Sequence, residues 1–319
     1  MTSFVIRRIL ALVPTWLGIS FFAFALSTMS PGDPAELILG RQMDEPPTPA
    51  QIEEFRERTG LDDPFLVQYG RWVLDTATGD LGTSFRSGDP VFSEFASRFP
   101  ATLQIAVPAF VLAMAMALGV GVLSALRRNS VADHASRVAS LMGDSVPSFV
   151  LAYLLIIVFS VKWGLLPVAG RGGWEHHVLP ALTLALATTA GLMRLTRSSL
   201  LDVLGEGYIR TARAMGVPER TVIARHALKN ALIPVMTVAG LLFAGFVTGT
   251  VIVETVFAWP GVGNFVVDAI FARDYPVIRG FVVFTGTIFV LVNLLVDILY
   301  VQLDPRIRLG REGGRRGGS

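Results

Sequence analysis

Six stretches of this sequence carry no charged side chain, and their lengths decide what the chain can fold into. With histidines counted as charges, 24 residues separate Arg8 from Asp33, 28 separate Arg98 from Arg127 and 17 separate Asp144 from Lys162. A further 16 separate His177 from Arg194, 24 separate Lys229 from Glu254 and 17 separate Arg279 from Asp297. A helix rises about 1.5 Å per residue, so about 20 apolar residues cross the ~30 Å hydrocarbon core of a bilayer. The three longest runs suffice as they stand. The shorter ones suffice where a polar residue sits at a membrane face or against a neighbouring helix. The expectation is an all-α polytopic membrane protein with six transmembrane helices, near residues 9–30, 101–124, 139–162, 178–197, 231–254 and 281–303. The fourth is the most polar, diluted by Thr183, Thr188 and Thr189. One such run fits a buried helix of a soluble protein, but six in one chain do not.

Composition points the same way. Charged residues make up 16% of the chain, against about 25% in a soluble domain. There is no cysteine, which excludes disulfides, thiolate metal sites and cysteine nucleophiles. A formal net charge of +2 gives no broad basicity, so nucleic acid is not expected as a partner. The first run follows Arg7-Arg8, and Ala23-Phe24-Ala25 resembles a cleavage site. Its apolar stretch exceeds the roughly 7–15 residues of a signal-peptide core, so it reads as an uncleaved first helix.

Six spans put both termini on one side. With the N-terminus inside, the inner segments are the start, 125–138, 194–230 and the tail from 304. They hold 17 of the 27 basic residues and six acids. The long outer segment 31–100 holds 13 acids and six bases. Basic loops favour the cytoplasmic side, which sets the orientation. The expected organisation is 1–30 as N-terminus and first helix, 31–100 as a helical extracytoplasmic loop, 101–303 as a five-helix core, and 304–319 as a cytoplasmic tail. Within the outer loop, Thr48-Pro49-Ala50-Gln51 reads as a capped helix start and Gly60 as its end. Asp63-Pro64 opens a second helix with Phe65, Tyr69 and Trp72 on one face. That loop fits a lid on the span ends, a docking surface for an external partner, or both.

Catalytic chemistry is hard to find. Glu175-His176-His177 suggests a metal, but adjacent residues on a short loop rarely converge on one ion; a polar loop flanking a span is the simpler reading. No G-x-S-x-G elbow occurs, and no carboxylate pair shares a charge-free run. Asp144 and Asp297 lie near span ends, where they cap, reach interfacial water, pair with a base or line a path. A phosphate-binding P-loop needs G-K-[ST], and the only two lysines, Lys162 and Lys229, lie in V-K-W and L-K-N. Any ATP used in transport must therefore be hydrolysed by another subunit. A channel, a secondary carrier or an intramembrane enzyme are the alternatives. No repeat between halves, no mid-span acid and no nucleophile favours them.

The patterned segment is the inner loop 194–230. Leu200, Leu201 and Leu204 recur at helical spacing after Arg194 and Arg197. After Gly205 and Gly207 comes Y-I-R-T-A-R-A-M-G, Tyr208 to Gly216, a short helix of small residues closed by glycine. Val217-Pro218-Glu219-Arg220 restarts a helix. An amphipathic helix lying on the membrane would show large apolar residues along one face. Thr211-Ala212-Arg213-Ala214 is too small and mixed for that. Small residues permit close approach and arginines supply charge-assisted bonds at the rim, so a protein partner is expected here.

This segment, with His226-Ala227-Leu228-Lys229-Asn230-Ala231-Leu232-Ile233-Pro234, resembles the EAA loop of ABC-importer permeases in the dipeptide/oligopeptide/nickel family. Other pieces resemble the same family in order. They are R-R-I-L-A-L-V-P-T-W-L-G-I-S (7–20), S-P-G-D-P-A (30–35), G-D-L-G-T-S-F (79–85) and L-P-A-L-T-L-A-L (179–186). V-F-A-W-P-G-V-G (256–263), A-R-D-Y-P-V-I (272–278) and L-D-P-R-I-R (303–308) follow. The resemblance covers nearly the whole chain up to the Gly/Arg-rich tail. Arg210-Thr211-Ala212 stands at the EAA position. His226-Ala227-Leu228-Lys229 stands where the general pattern has I-x-L-P, and only its leucine matches. Met215 replaces a common lysine, an exchange expected to weaken one rim contact without abolishing docking.

The resemblance implies a type I ABC importer permease in the bacterial inner membrane that pairs with a homologous permease subunit. It implies two cytoplasmic ATPases, which carry ATP and magnesium, and an external substrate-binding protein on the outer loops. The implied ATPase-coupling residues are Tyr208, Arg210, Thr211, Ala212, Arg213, Ala214, Met215, Gly216, Arg220 and His226. No cofactor, metal or catalytic residue is implied in this chain. Peptides are the expected cargo, with nickel as the alternative, since no dense histidine, carboxylate or methionine site lies in the spans.

Overall fold

The computed structural model describes residues 2–29, 33–43, 45–248 and 250–303, excepting the side chains of 2–9, 11, 34, 37, 41, 42, 297 and 299–303. The 30–32 part of S-P-G-D-P-A and the tail from 304, with most of L-D-P-R-I-R, lie outside the described residues.

Among the described residues the chain is helical and has no strand. In order these helices are α1 (Thr2–Thr28), α2 (Pro34–Gln42), α3 (Pro49–Thr59), α4 (Phe65–Ala77), α5 (Val91–Leu126), α6 (Val131–Ser145) and α7 (Ser148–Leu155). Then come α8 (Glu175–Leu204), α9 (Gly207–Ala214), α10 (Glu219–Thr221), α11 (Leu228–Thr248), α12 (Val251–Val256), α13 (Val262–Phe271) and α14 (Tyr275–Leu303). Wider π-helical turns continue α7 over Ile156–Lys162 and join α10 to α11 over Val222–Ala227. Four helical stretches are long and apolar enough to cross a membrane: Val91–Leu126, Glu175–Leu204, Glu219–Val256 and Tyr275–Val296. Leu12–Thr28 is a shorter apolar helix.

The expected third span, 139–162, is not one straight helix. α6 and the stretch Ser148–Lys162 meet at a bend of 106°, and together they make a fifth candidate span. The cause is Pro147, whose ring disfavours helical backbone in the residue before it. Val146 is accordingly extended, at φ −95° and ψ 118°. α6 also starts eight residues earlier than expected, inside the predicted inner loop.

The chain forms two compact units, Met1–Thr102 with Pro260–Ile288, and Leu103–Trp259 with Phe289–Ser319. In the first, α3 starts as its sequence predicts. The Thr48 backbone N–H and hydroxyl both donate to Gln51 Oε1 at 2.8 Å. It ends at Gly60 in the left-handed region, φ 68°. α4 then turns its aromatic face to α1. Phe65 and Tyr69 meet Phe21 edge-on at 5.7 and 5.4 Å, and Trp72 lies 5.4 Å from Phe24. Tyr69 Oη donates to the Leu17 carbonyl at 3.1 Å. Each aromatic pair adds about 0.5–1.5 kcal/mol beyond its buried area, so α4 is fixed to α1.

A second anchor holds residues 79–90. Asp274 is buried, and its carboxylate accepts from Ser84 Oγ at 2.6 Å and from the N–H groups of Phe85 and Arg86 at 3.1 Å each. Beneath it Leu81, Val91, Phe95, Val262, Ala269 and Val277 form one apolar cluster.

The second unit is built around α8, which packs on α6, α7 and α11. Its threonines are absorbed locally. Thr183, Thr188, Thr189 and Thr196 each donate to a carbonyl four residues back, at 2.8, 3.0, 2.6 and 2.8 Å. A hydroxyl satisfied this way tolerates an apolar setting. α8 is also the most enclosed candidate, 56% buried over its span window against 22–39% for the other three. Its polarity therefore marks a helix surrounded by protein. α5 reaches it closely at Gly121, where a Cβ would stand 2.8 Å from Thr196 Cβ and 2.9 Å from the Met193 carbonyl oxygen.

Candidate functional site

The patterned loop begins as an extension of α8, which runs unbroken to Leu204. Leu200 is buried there, as the leucine spacing predicts. α9 follows, and its inward face is short: Ile209 and Ala212, three residues apart and so on one side of a helix. Both are buried, in a cluster with Ala125, Leu200, Val222, Ala227 and Ala231. α9 thus rests on a floor supplied by the ends of α5 and α8 and the start of α11.

That packing sorts the ten candidate coupling residues. Tyr208, Arg210, Thr211, Arg213, Ala214, Met215, Gly216, Arg220 and His226 are exposed. Ala212 is not, at 7% exposure. Its side chain packs beneath the helix in that cluster, so any part it has in coupling runs through the seating of α9.

The end of α9 is a Schellman turn. Gly216 sits at φ 78°, and its N–H donates to the Arg213 carbonyl at 3.0 Å while the Val217 N–H donates to the Ala212 carbonyl at 3.2 Å. Val217 packs on the cluster that holds Ala212, the apolar contact such turns carry. A Cβ on Gly216 would meet nothing within 4 Å. Glycine is therefore needed there for its backbone, and a side chain would project outward.

Arg213 reaches across this turn to Glu219, with Nε–Oε2 at 3.0 Å and Nη2–Oε1 at 2.6 Å. The hydrogen-bonded carboxylate raises the Arg213 pKa above its ordinary value. Arg210 Nη2 donates to the Gly205 carbonyl at 2.9 Å. Tyr208 Oη accepts from Asn230 Nδ2 at 2.8 Å, and the same amide donates to the His226 carbonyl at 3.1 Å. Arg220 has no ion pair among the described residues. Sequence reasoning did not single out Glu219 or Asn230 as part of this surface. The only local signal was an acid placed just beyond the glycine turn, opposite an arginine.

The platform is braced by charge from behind. Asp133 of α6 is fully buried and accepts from Arg197 of α8 through Nε at 2.6 Å and Nη2 at 2.9 Å. Ser124 Oγ and the Asn129 N–H donate to the same carboxylate at 2.6 and 2.9 Å. Asp144 pairs with Arg194. The side chain of Asp297 lies outside the described residues.

The histidine pair of the 170–177 loop does not converge. His176 Nδ1 lies 3.1 Å from the Gly170 carbonyl, His177 Nδ1 lies 3.1 Å from the Gly173 carbonyl, and the His177 ring meets Trp259 edge-on at 4.8 Å. Among the described residues no three His, Asp or Glu side chains gather to hold a metal ion. Residues 207–216 instead offer a short helix with a mostly exposed face of small residues, rimmed by arginines and seated on Ile209 and Ala212.

Comparison with known proteins covers both parts of the chain. Residues 117–309 match the family "Binding-protein-dependent transport system inner membrane component", and residues 1–106 match its N-terminal companion, "Binding-prot-dependent transport system membrane comp, N-term". The "Glutathione transport system permease protein GsiC" of Escherichia coli strain K12 is 43% identical over 309 residues, covering 97% of this chain and 99% of the relative. The protein of the same name from Salmonella paratyphi A is 42% identical over the same span. With the motifs, the helical fold and these matches in agreement, the chain belongs to the binding-protein-dependent transport permeases, the membrane-integral components of ABC importers.

Proposed function

We propose that this chain is one of two homologous permease subunits in an ATP-driven importer of short peptides. It crosses the bacterial inner membrane six times, with both termini in the cytoplasm. Its spans are α1, α5, the bent pair α6–α7, α8, α11 and α14. Residues 31–100 lie outside, 101–303 form the core, and 304–319 form a cytoplasmic tail. Residues 194–230 face the cytoplasm. This orientation puts the basic segments inside.

The observation that carries the reading is α9, an exposed helix of small residues whose Gly216 turn leaves its tip unobstructed. One of two cytoplasmic ATPases takes this helix into a surface cleft, with Tyr208, Arg210, Thr211, Ala212, Arg213, Ala214, Met215, Gly216, Arg220 and His226 as the coupling set, Ala212 from the buried side of the helix. ATP and magnesium are bound by the ATPases, and this chain contributes no catalytic group. Closure of the ATPases draws the coupling helices together and opens the path outward. The permease couples the sites because each ligand favours one of its two conformations. An external binding protein delivers cargo to the outer loops. Short peptides are supported as cargo by relatives named for glutathione, a tripeptide.

The test is purification of the intact complex with its binding protein, followed by identification of the bound ligand and the co-purifying subunits. Recovery of a peptide and an ATPase supports the reading. Absence of any ATPase overturns the importer role, and a nickel ion in place of a peptide overturns the cargo.

A further inference from the structure

Arg279, in the first turns of α14, has an environment that the coupling mechanism does not use. Its guanidinium carbon lies 5.4 Å from the Phe24 ring centroid and 5.6 Å from that of Trp72. Among the described residues it makes no hydrogen bond and no ion pair. Its Nε is enclosed without a partner, as is the neighbouring Trp72 Nε1. Stacking on aromatic faces stabilises the cation but satisfies none of its N–H groups. The two Nη groups are what remains, and Arg279 lines a cavity of about 530 Å³.

The other charges on that cavity are informative. Arg56 is already engaged by Asp33 at 2.7 Å, so this pair is internally neutralised. Asp62 lines the same cavity, is exposed, and has no ion pair among the described residues. The wall therefore presents one cation without an ion pair among the described residues, held against two rings, and one exposed anion, Asp62, outside any ion pair there although its charge also acts on Arg56. A planar guanidinium presents paired donors that match a carboxylate. The volume falls in the range of small-molecule sites, roughly 300–1,000 Å³, and is too small for a macromolecular interface.

We infer that this cavity is a binding site for a small zwitterion with a free carboxylate, an amino acid or a short peptide, whose carboxylate is held by Arg279. The inference rests on the importer reading only in placing this end of the chain on the outer face, where such a molecule would arrive before translocation. Arg279 and Trp72 form the recognition edge, and Asp62 supplies the counter-charge for the ammonium group.

The experiment uses the intact transporter complex in lipid nanodiscs, without binding protein, titrated by calorimetry with trialanine and with trialanine amide. The expected result is saturable binding of the free acid, tighter than the amide by on the order of ten-fold or more, the effect of losing a charged hydrogen-bond pair. Arg279→Gln should abolish that preference while ATPase assembly and ATP hydrolysis stimulated by the binding protein are retained. If Arg279→Gln fails to assemble, Arg279→Lys keeps the charge without the flat fork and should still lower the preference. The wild-type comparison stands without any variant. Equal affinity for acid and amide, no saturable binding, or a preference unchanged in the variant overturns the inference. Stimulated ATP hydrolysis reports on the importer role independently.

Discussion

Asp133 receives both the Nε and the Nη2 of Arg197 across 64 positions of sequence, at 2.6 and 2.9 Å. The carboxylate is fully buried and its guanidinium partner largely so. The pair ties α6 to the last turns of α8, the helix that leads into α9. Removing one member of a buried pair leaves a charge without compensation, which costs far more than removing both. Arg197→Met should therefore lower the thermal stability of the purified permease well beyond the exposed Arg220→Met. Asp133→Asn combined with Arg197→Met should recover part of the loss. A melting curve of each variant in detergent decides it, and an Arg197→Met curve no worse than that of Arg220→Met would remove the brace from the account.

The parts of this architecture that depend on neighbours in sequence were legible. Charge-free runs located the four long apolar helices and the bent α6–α7 pair, because a bilayer acts on every residue of a run at once. Gly216 and Pro218 marked the end of α9 and the next start, because backbone restrictions act on the residue itself. The break at Val146-Pro147 escaped because a proline in an apolar run leaves the charge pattern untouched. The inward packing of Ala212 was not evident because small residues look equally suited to a floor and to a contact surface; its three-residue offset from Ile209 was the clue. The pairings of Asp133 with Arg197 and of Asp274 with Ser84, 190 positions apart, leave no local trace. Only the folded chain brings those groups together.

Gly216 separates backbone strain from blocked docking. Any side chain there must adopt a left-handed backbone, at a cost of about 1 kcal/mol, and meets open space. Gly216→Ala should leave ATPase co-purification close to wild type. Gly216→Arg carries the same strain plus a large charge at the tip, and should abolish both ATPase assembly and transport at normal membrane levels. Normal transport by Gly216→Arg would sink the docking role of this turn.

Asp274 holds the segment 79–90 through three hydrogen bonds. Asp274→Ala leaves the Ser84 hydroxyl and the Phe85 amide without this acceptor and the Arg86 amide with Ser84 Oγ alone, a loss on the order of 3 kcal/mol. The 79–90 segment should then open locally while α9 and its platform stay intact. Limited proteolysis of the purified complex should show new cleavage within 79–90 with ATPase association unchanged. Equal protection in the variant and wild type would show that the loop is held by other contacts.

Arg213 has two roles to separate, because it braces the Gly216 turn through Glu219 and also stands on the exposed rim. Arg213→Glu breaks the pair and reverses a rim charge, and should weaken ATPase co-purification by about ten-fold, the effect of one charge-assisted contact. The exchange Arg213→Glu with Glu219→Arg restores an ion pair across the turn but leaves an acid on α9. If Arg213 contacts the ATPase, association should stay weak in the exchanged protein. Full recovery would assign Arg213 to bracing alone, and unchanged association in the single variant would remove it from the interface. Because the pair is solvent-exposed and contributes little to stability, the melting temperature should scarcely move in either variant. A change in association is then attributable to the surface that α9 presents.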